Sequence, residues 1–270
     1  MTRLKSTFDG LPQTGRKGFI PFVSAGDPDI ETSKRIVLAL SESGADIIEL
    51  GVPFSDPMAD GPTIQASSQR ALERGVKLSD VLAMVSELRV VSDVPIVLFS
   101  YLNPLFRYGI ERLAKDAAAA GVDGVLVTDA VDEEAAAIAG VLRGHDLDLI
   151  SLVAPTTTES RLEKIAARSS GFIYAVSRAG VTGARNETGK DAELLVRRVR
   201  KFTDLPVAVG FGISTREQIE DVWRYADAAV VGSAIVREIE RSIPNGNTAE
   251  RVRQFVNGLL PSFAKDAAEI

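Results

Sequence analysis

Two carboxylates sit where a carboxylate is expensive to keep. Glu49 lies in Asp46-Ile47-Ile48-Glu49-Leu50-Gly51, an otherwise apolar run. Side chains alternate along a strand, so Glu49 points away from Ile48 and Leu50, at the end of the run. Desolvation raises the pKa of such a group toward the range where it both gives and takes protons near neutrality. Eleven residues on, Asp60 lies in Asp56-Pro57-Met58-Ala59-Asp60-Gly61-Pro62. That Pro- and Gly-punctuated loop can fold back over the same strand end. Asp60 also reads as a cap or turn ahead of a helix predicted over Thr63–Glu73. The pair predicts acid–base chemistry, with Glu49 as the stronger candidate.

A second group of residues points to an anion. Three glycine signals follow three successive apolar runs: Ala179-Gly180-Val181-Thr182-Gly183, Gly210-Phe211-Gly212-Ile213-Ser214, and Gly232-Ser233. Glycine lets backbone amides approach a ligand closely. Gly232-Ser233 opens a short predicted helix, Ser233–Glu240, whose N-terminal amides favour a phosphate dianion. Together they predict a phosphorylated small substrate.

Composition removes other chemistries. There is no cysteine, so thiolate nucleophiles, disulfides and Cys-bound metals are excluded, and one histidine, His145, cannot build a multi-histidine metal site. No metal site is expected. His145 falls between a helix and a strand and reads as a surface residue. Thirty-one Lys and Arg against thirty-seven Asp and Glu give a net charge of −6, which disfavours a nucleic-acid binder. No apolar run has the length of a membrane span, and MTRLKSTFDG has neither the core nor the cleavage site of a signal peptide. The cytoplasm is the expected compartment.

These residues need a scaffold that gathers distant strand ends. Apolar runs recur at 19–23, 46–50, 95–100, 123–127, 147–153, 171–176, 206–211 and 228–231. They are near-continuously apolar, as in a parallel sheet buried on both faces. Helical patterns lie between them: Ile30–Ser43, Leu78–Val90, Ile110–Ala120, Asp132–Leu142, Glu159–Ala167, Asp191–Phe202 and Ser214–Trp223, with a last one at Thr248–Leu260. Eight βα units predict a TIM (β/α)8 barrel as a single domain over 1–270. A doubly wound open sheet is the alternative. The strands start 22 to 28 residues apart, except for 49 after strand 2 and 35 after strand 6. The surplus predicts long βα loops at 51–77 and 177–190, on the face where barrel active sites lie.

The stretch from Glu49 through Gln65, with Phe22-Val-Ser-Ala-Gly-Asp-Pro28 before it and Ser177–Ala184 and Gly210–Ser214 after it, resembles the tryptophan synthase α subunit. The resemblance covers the whole chain. It implies retro-aldol cleavage of indole-3-glycerol phosphate to indole and glyceraldehyde 3-phosphate. It also implies a β-subunit partner in an αββα complex, with pyridoxal phosphate carried by β and no cofactor in this chain. By the same matching, Glu49 and Asp60 are catalytic. Phe22, Ile64, Tyr101, Tyr174, Thr182 and Phe211 surround the indole and glycerol, and Gly183, Gly212, Gly232 and Ser233 hold the phosphate. Pro53, Asp56 and Pro57 face the β partner.

The residues agree with that chemistry. A retro-aldol step normally uses a Schiff-base lysine or a divalent metal, yet no predicted strand ends in lysine. Indole stabilises itself as a leaving group once its C3 is protonated, so two positioned carboxylates suffice. One departure stands out: where the family follows its aspartate with Leu and Pro, Asp129 is followed by Ala130-Val131-Asp132. A phosphate-sugar isomerase or epimerase, and a catalytically silent regulatory barrel, are the rival readings.

Overall fold

The computed structural model describes residues 2–176, 185–210 and 212–261, with backbone alone for 185–189. The apolar runs form eight strands: β1 (Gly18–Ser24), β2 (Ile48–Gly51), β3 (Ile96–Ser100), β4 (Gly124–Val127), β5 (Asp148–Val153), β6 (Ile173–Val176), β7 (Val207–Gly210) and β8 (Ala228–Val231). They pair in parallel in chain order and close β1 onto β8. This is the (β/α)8 barrel expected, and the open-sheet alternative falls.

Alternation sorts the side chains into two cores. Ile20, Ile47, Val97, Leu126, Ile150, Tyr174 and Val230 fill the barrel. Phe19, Ile48, Leu50, Leu98 and Val125 face outward and pack under the helices. Those helices include α2 (Ile30–Glu42), α3 (Pro62–Glu73), α4 (Leu78–Leu88), α6 (Ile110–Ala120), α7 (Asp132–Arg143), α8 (Glu159–Arg168), α9 (Arg185–Val199), α10 (Arg216–Trp223), α11 (Ser233–Ser242) and α12 (Thr248–Leu259). Glu49 follows Ile47 in the inward phase, so β2 carries a carboxylate into the barrel.

Three elements differ from expectation. An N-terminal helix, α1 (Arg3–Gly10), buries Leu4 and Phe8 against the barrel's interior cluster, with the Phe8 and Phe172 rings 5.6 Å apart. A short helix after β3, α5 (Leu102–Tyr108), contains Pro104. Proline is tolerated there because it lies in the first turn, where its missing N–H has no helical partner to lose. Helix α9 starts at Arg185, six residues before the Asp191 expected, so part of the predicted 177–190 loop is helical. The rest of that loop, 177–184, lies outside the described residues.

The stretch 51–77 after β2 holds helix α3, with a shorter irregular segment before it. Ten residues, 52–61, cross the C-terminal mouth before α3 begins at Pro62, with Gly61 as its N-cap.

Candidate active site

At the C-terminal mouth a cavity of about 490 Å³ opens onto the barrel interior, within the range of small-molecule sites. Glu49, Asp60, Phe22, Ile64, Tyr174, Gly212, Gly232 and Ser233 all line it. Eight residues singled out from sequence thus converge from β1, β2, the segment after β2, α3, β6 and the turns after β7 and β8. Thr182, Gly183 and Phe211 lie outside the described residues.

Glu49 is fully buried, and neither of its carboxylate oxygens has a hydrogen-bond partner among the described residues. Desolvation alone pushes its pKa well above the ordinary glutamate value. Burial therefore favours the protonated carboxyl over the carboxylate at this position. Tyr174 is also pushed up, first by burial and then by the adjacent Glu49, so it remains a neutral phenol.

Asp60 is tuned less far. Burial raises its pKa to about 6, and the Tyr101 hydroxyl, donating to it, pulls the other way. Asp60 thus keeps a carboxylate at neutral pH, while burial, with no partner to oppose it, drives Glu49 toward its protonated form. Two acids in one site with separated pKa values can divide the roles of proton donor and charge stabiliser.

Tyr101 does its work from behind. It does not line the cavity; its hydroxyl accepts the Ala59 N–H at 2.9 Å, and its ring lies 5.2 Å from Phe54. It anchors the 52–61 segment that carries Asp60, whereas direct substrate contact was expected. Gln65 holds the same segment from α3, donating to the Asp60 carbonyl at 2.8 Å.

Pro53 sits differently from its two expected companions on the partner-facing loop, Asp56 and Pro57. It is buried, because the chain continues β2's pairing through the Val52 N–H to the Phe99 carbonyl (2.8 Å) before turning. Asp56 is exposed and Pro57 partly so, and Met58 beside them is 92% exposed.

The other end of the cavity suits an anion. Gly212 holds φ +76°, a left-handed conformation that penalises any side chain. Gly232 caps α11 and Ser233 and Ala234 open it, and all three line the cavity, which brings the helix N-terminus, whose first amides lack helical acceptors, to its wall. Gly210 gives the space that Tyr174 uses: a Cβ there would sit 2.2 Å from the tyrosine hydroxyl.

Sequence reasoning missed two cavity residues. Phe99 faces inward from β3 and meets Phe22 edge-on, with centroids 5.2 Å apart at 78°. Its inward phase with Val97 was the available signal. Arg237 lines the same cavity from α11, four residues after Ser233 and so on the same helical face. His145 is partly exposed between α7 and β5, away from this mouth. No group of three or more His, Cys, Asp or Glu among the described residues is placed to hold a metal ion.

Fold and site together define a (β/α)8 barrel whose C-terminal mouth holds a cavity lined by two carboxylates, Glu49 and Asp60, and by the glycine turns after β7 and β8. The family described as tryptophan synthase alpha chain matches residues 8–263. The chain belongs to that family. The tryptophan synthase alpha chain of Citrifermentans bemidjiense is 51% identical over 98% of this chain and 99% of its own. That of Acidiphilium cryptum is 52% identical over 100% and 98%. Among solved structures, tryptophan synthase subunit alpha from Legionella pneumophila superposes with a TM-score of 0.90 at 34% identity, covering 99% of both chains. A chain of tryptophan synthase from M. tuberculosis in an aminoacrylate-bound form gives 0.86 at 37% identity, covering 98% of this chain and 99% of that one.

Proposed function

We propose that Glu49 and Asp60 are the acid–base pair with which this chain performs its family's reaction, the cleavage of indole-3-glycerol phosphate in tryptophan biosynthesis. The observation that carries the assignment is the unpaired, fully buried Glu49 facing a cavity whose other wall bears an ionised Asp60.

Glu49, in the protonated form that its burial favours, delivers its proton to indole C3. The ring nitrogen becomes positively charged, and the Asp60 carboxylate stabilises that charge through the ring N–H. Glu49, now a carboxylate, takes the proton of the adjacent glycerol hydroxyl. The bond from C3 to the carbinol carbon breaks, its electrons restore the indole ring, and the carbinol becomes the aldehyde of glyceraldehyde 3-phosphate. Protons and electrons balance with no other reactant. Phe22, Phe99 and Ile64 give the indole an apolar wall, while Gly212, Gly232 and Ser233 receive the phosphate, with Arg237 adding positive charge at the rim. Thr182, Gly183 and Phe211 complete the two subsites in this reading.

The family's α chain works with a β subunit that carries the pyridoxal phosphate. Asp56, Pro57 and the exposed Met58 are the surface offered to that partner in this reading, beside Phe106 and Val131, which are 57% and 49% exposed. Among the described residues no helix is long and apolar enough to cross a membrane, and the cytoplasm is the compartment we assign. Asp129 accepts the Leu102 N–H at 2.7 Å and so caps α5 despite the altered residues after it. The segment after β4 is therefore tied to the start of α5.

The test is indole release from indole-3-glycerol phosphate by Glu49→Gln with β present. Loss of at least about 10²-fold is expected for a missing proton shuttle. Near-normal turnover sinks the assignment.

A further inference from the structure

Helix α3 begins two residues after Asp60, and α11 begins at the phosphate rim with Ser233. The two helices pack together there, where Ile64 and Val236 share a small apolar cluster with Phe22. Farther along both, a polar clamp joins them. Arg70 on α3 donates through Nε to Asp27 Oδ1 at 2.7 Å and through Nη2 to Asp27 Oδ2 at 2.9 Å. Its Nη1 donates to Glu240 Oε1 on α11 at 2.9 Å. The Asp27 side chain is fully buried in the turn after β1, Arg70 is mostly buried, and Glu240 is half exposed. Ser24 on β1 and Ser67 on α3 are bonded at 2.6 Å, which ties the same helix to the same strand.

None of Asp27, Arg70 or Glu240 lines the cavity. Arg70 stands eight residues past Pro62 and Glu240 seven past Ser233, so each lies roughly 11–12 Å along its helix at about 1.5 Å per residue. One planar guanidinium therefore meets both helices at a matched distance from their N-termini. Resting on the reading of the site given above, we infer that Arg70 is a positioning residue: its clamp on Asp27 and Glu240 sets the separation between Asp60 and the phosphate rim. A substrate that touches both ends feels that separation, and a ligand that touches one end does not. Lysine keeps the charge but cannot reproduce the fork that serves Asp27 twice and Glu240 once.

Removing Arg70 outright strands a buried carboxylate and threatens folding, so the test uses Arg70→Lys and Glu240→Gln. The second cuts only the half-exposed arm to α11 and leaves the Asp27 pair in place. Three readouts are compared with wild type in the α–β complex: kcat for indole-3-glycerol phosphate, affinity for non-cleavable indole-3-propanol phosphate, and affinity for glycerol 3-phosphate. For Glu240→Gln, kcat and propanol phosphate affinity should each fall about threefold, the scale of an exposed ion pair. For Arg70→Lys the same two should fall about tenfold, as misplacement of an oriented group does. Glycerol 3-phosphate affinity should stay within about twofold in both variants. Equal losses for both ligands, or a lowered melting temperature with kcat and both affinities unchanged, overturn the inference and leave Arg70 a structural staple. Failure of wild-type protein to bind the propanol phosphate while binding glycerol 3-phosphate overturns the reading of the site instead, and the inference with it.

Discussion

Asp46, Asp123 and Asp227 stand at the N-terminal end of the barrel, just before β2, β4 and β8, and each accepts a backbone N–H from the preceding strand. Phe19, Ile96 and Val207 are the donors, at 2.8, 2.8 and 2.9 Å. Each acid also has a cation: Arg16 at 3.4 Å, Arg89 and Arg3 at 2.8 and 2.7 Å, and Arg200 and Lys17 at 3.0 and 3.3 Å. Glu49, a few residues up β2 from Asp46, has neither an amide nor a cation among the described residues. Burial raises Asp46 as well, to about 6, but there Arg16 and the Phe19 amide pull it back. Nothing pulls Glu49 back. The same functional group, a carboxyl, is thus a fastener at one end and, in the proposed role, a proton carrier at the other, and the difference lies in what surrounds it.

The sharpest break of that contrast is Asp123→Ala. Asp123 is nearly inaccessible and receives Arg89, Arg3 and the Ile96 amide. Removing it strands Arg89 and should lower unfolding free energy by about 3–5 kcal/mol, measured by urea denaturation, while the folded fraction keeps its turnover. A large fall in kcat with unchanged stability would erase the division between the two ends.

Glu49→Gln should do the reverse, losing the reaction and gaining stability. A buried acid whose folded pKa is raised favours the protonated state, so folding is disfavoured once the unfolded chain ionises. The melting temperature of Glu49→Gln should therefore match wild type below pH 4.5, the ordinary glutamate value, and exceed it increasingly as pH rises toward the folded-state pKa. A variant less stable at pH 8 than wild type would mean that Glu49 has a partner after all.

Two smaller effects refine the mouth. Gly212→Val places a branched side chain on a left-handed residue at the phosphate end; KM should rise about tenfold or more, whereas binding of free indole should change little. The pH profile should show an acidic limb: kcat/KM should fall as pH drops through about 6, where Asp60 is protonated and stops stabilising the ring charge. A flat profile between pH 5 and 7 would remove Asp60 from that role.

Much of this was legible in the residues because parallel strands buried on both faces leave unbroken apolar runs, and all eight strands appear where those runs fall. Glu49 was conspicuous for the same reason, as the polar interruption of one run. Helix α1 left a fainter trace: eight residues with only Leu4 and Phe8 buried make too short a period to stand out. Pro104 disguised α5 as a loop. Phe99 lines the cavity and Tyr101 stands behind it, a difference hidden in the sequence, since a periodic pattern tells which face a ring is on but not whether a neighbouring loop covers it. The Asp27–Arg70 pair spans 43 residues of chain and has no local signature.

Helix α1 gives the barrel a floor. Leu4 and Phe172 are wholly inaccessible and Phe8 nearly so, and a Cβ on Gly124 or Gly171 would lie 3.2 or 3.1 Å from the Leu4 methyl. Traffic along the barrel axis is therefore a dead end. Among the described residues the axis is closed at that end, so in the proposed assignment indole formed beside Glu49 leaves at the mouth, the end that bears Asp56, Pro57 and Met58. On that reading a partner that collects indole docks at the mouth; one seated under the floor would find a wall of leucine and phenylalanine.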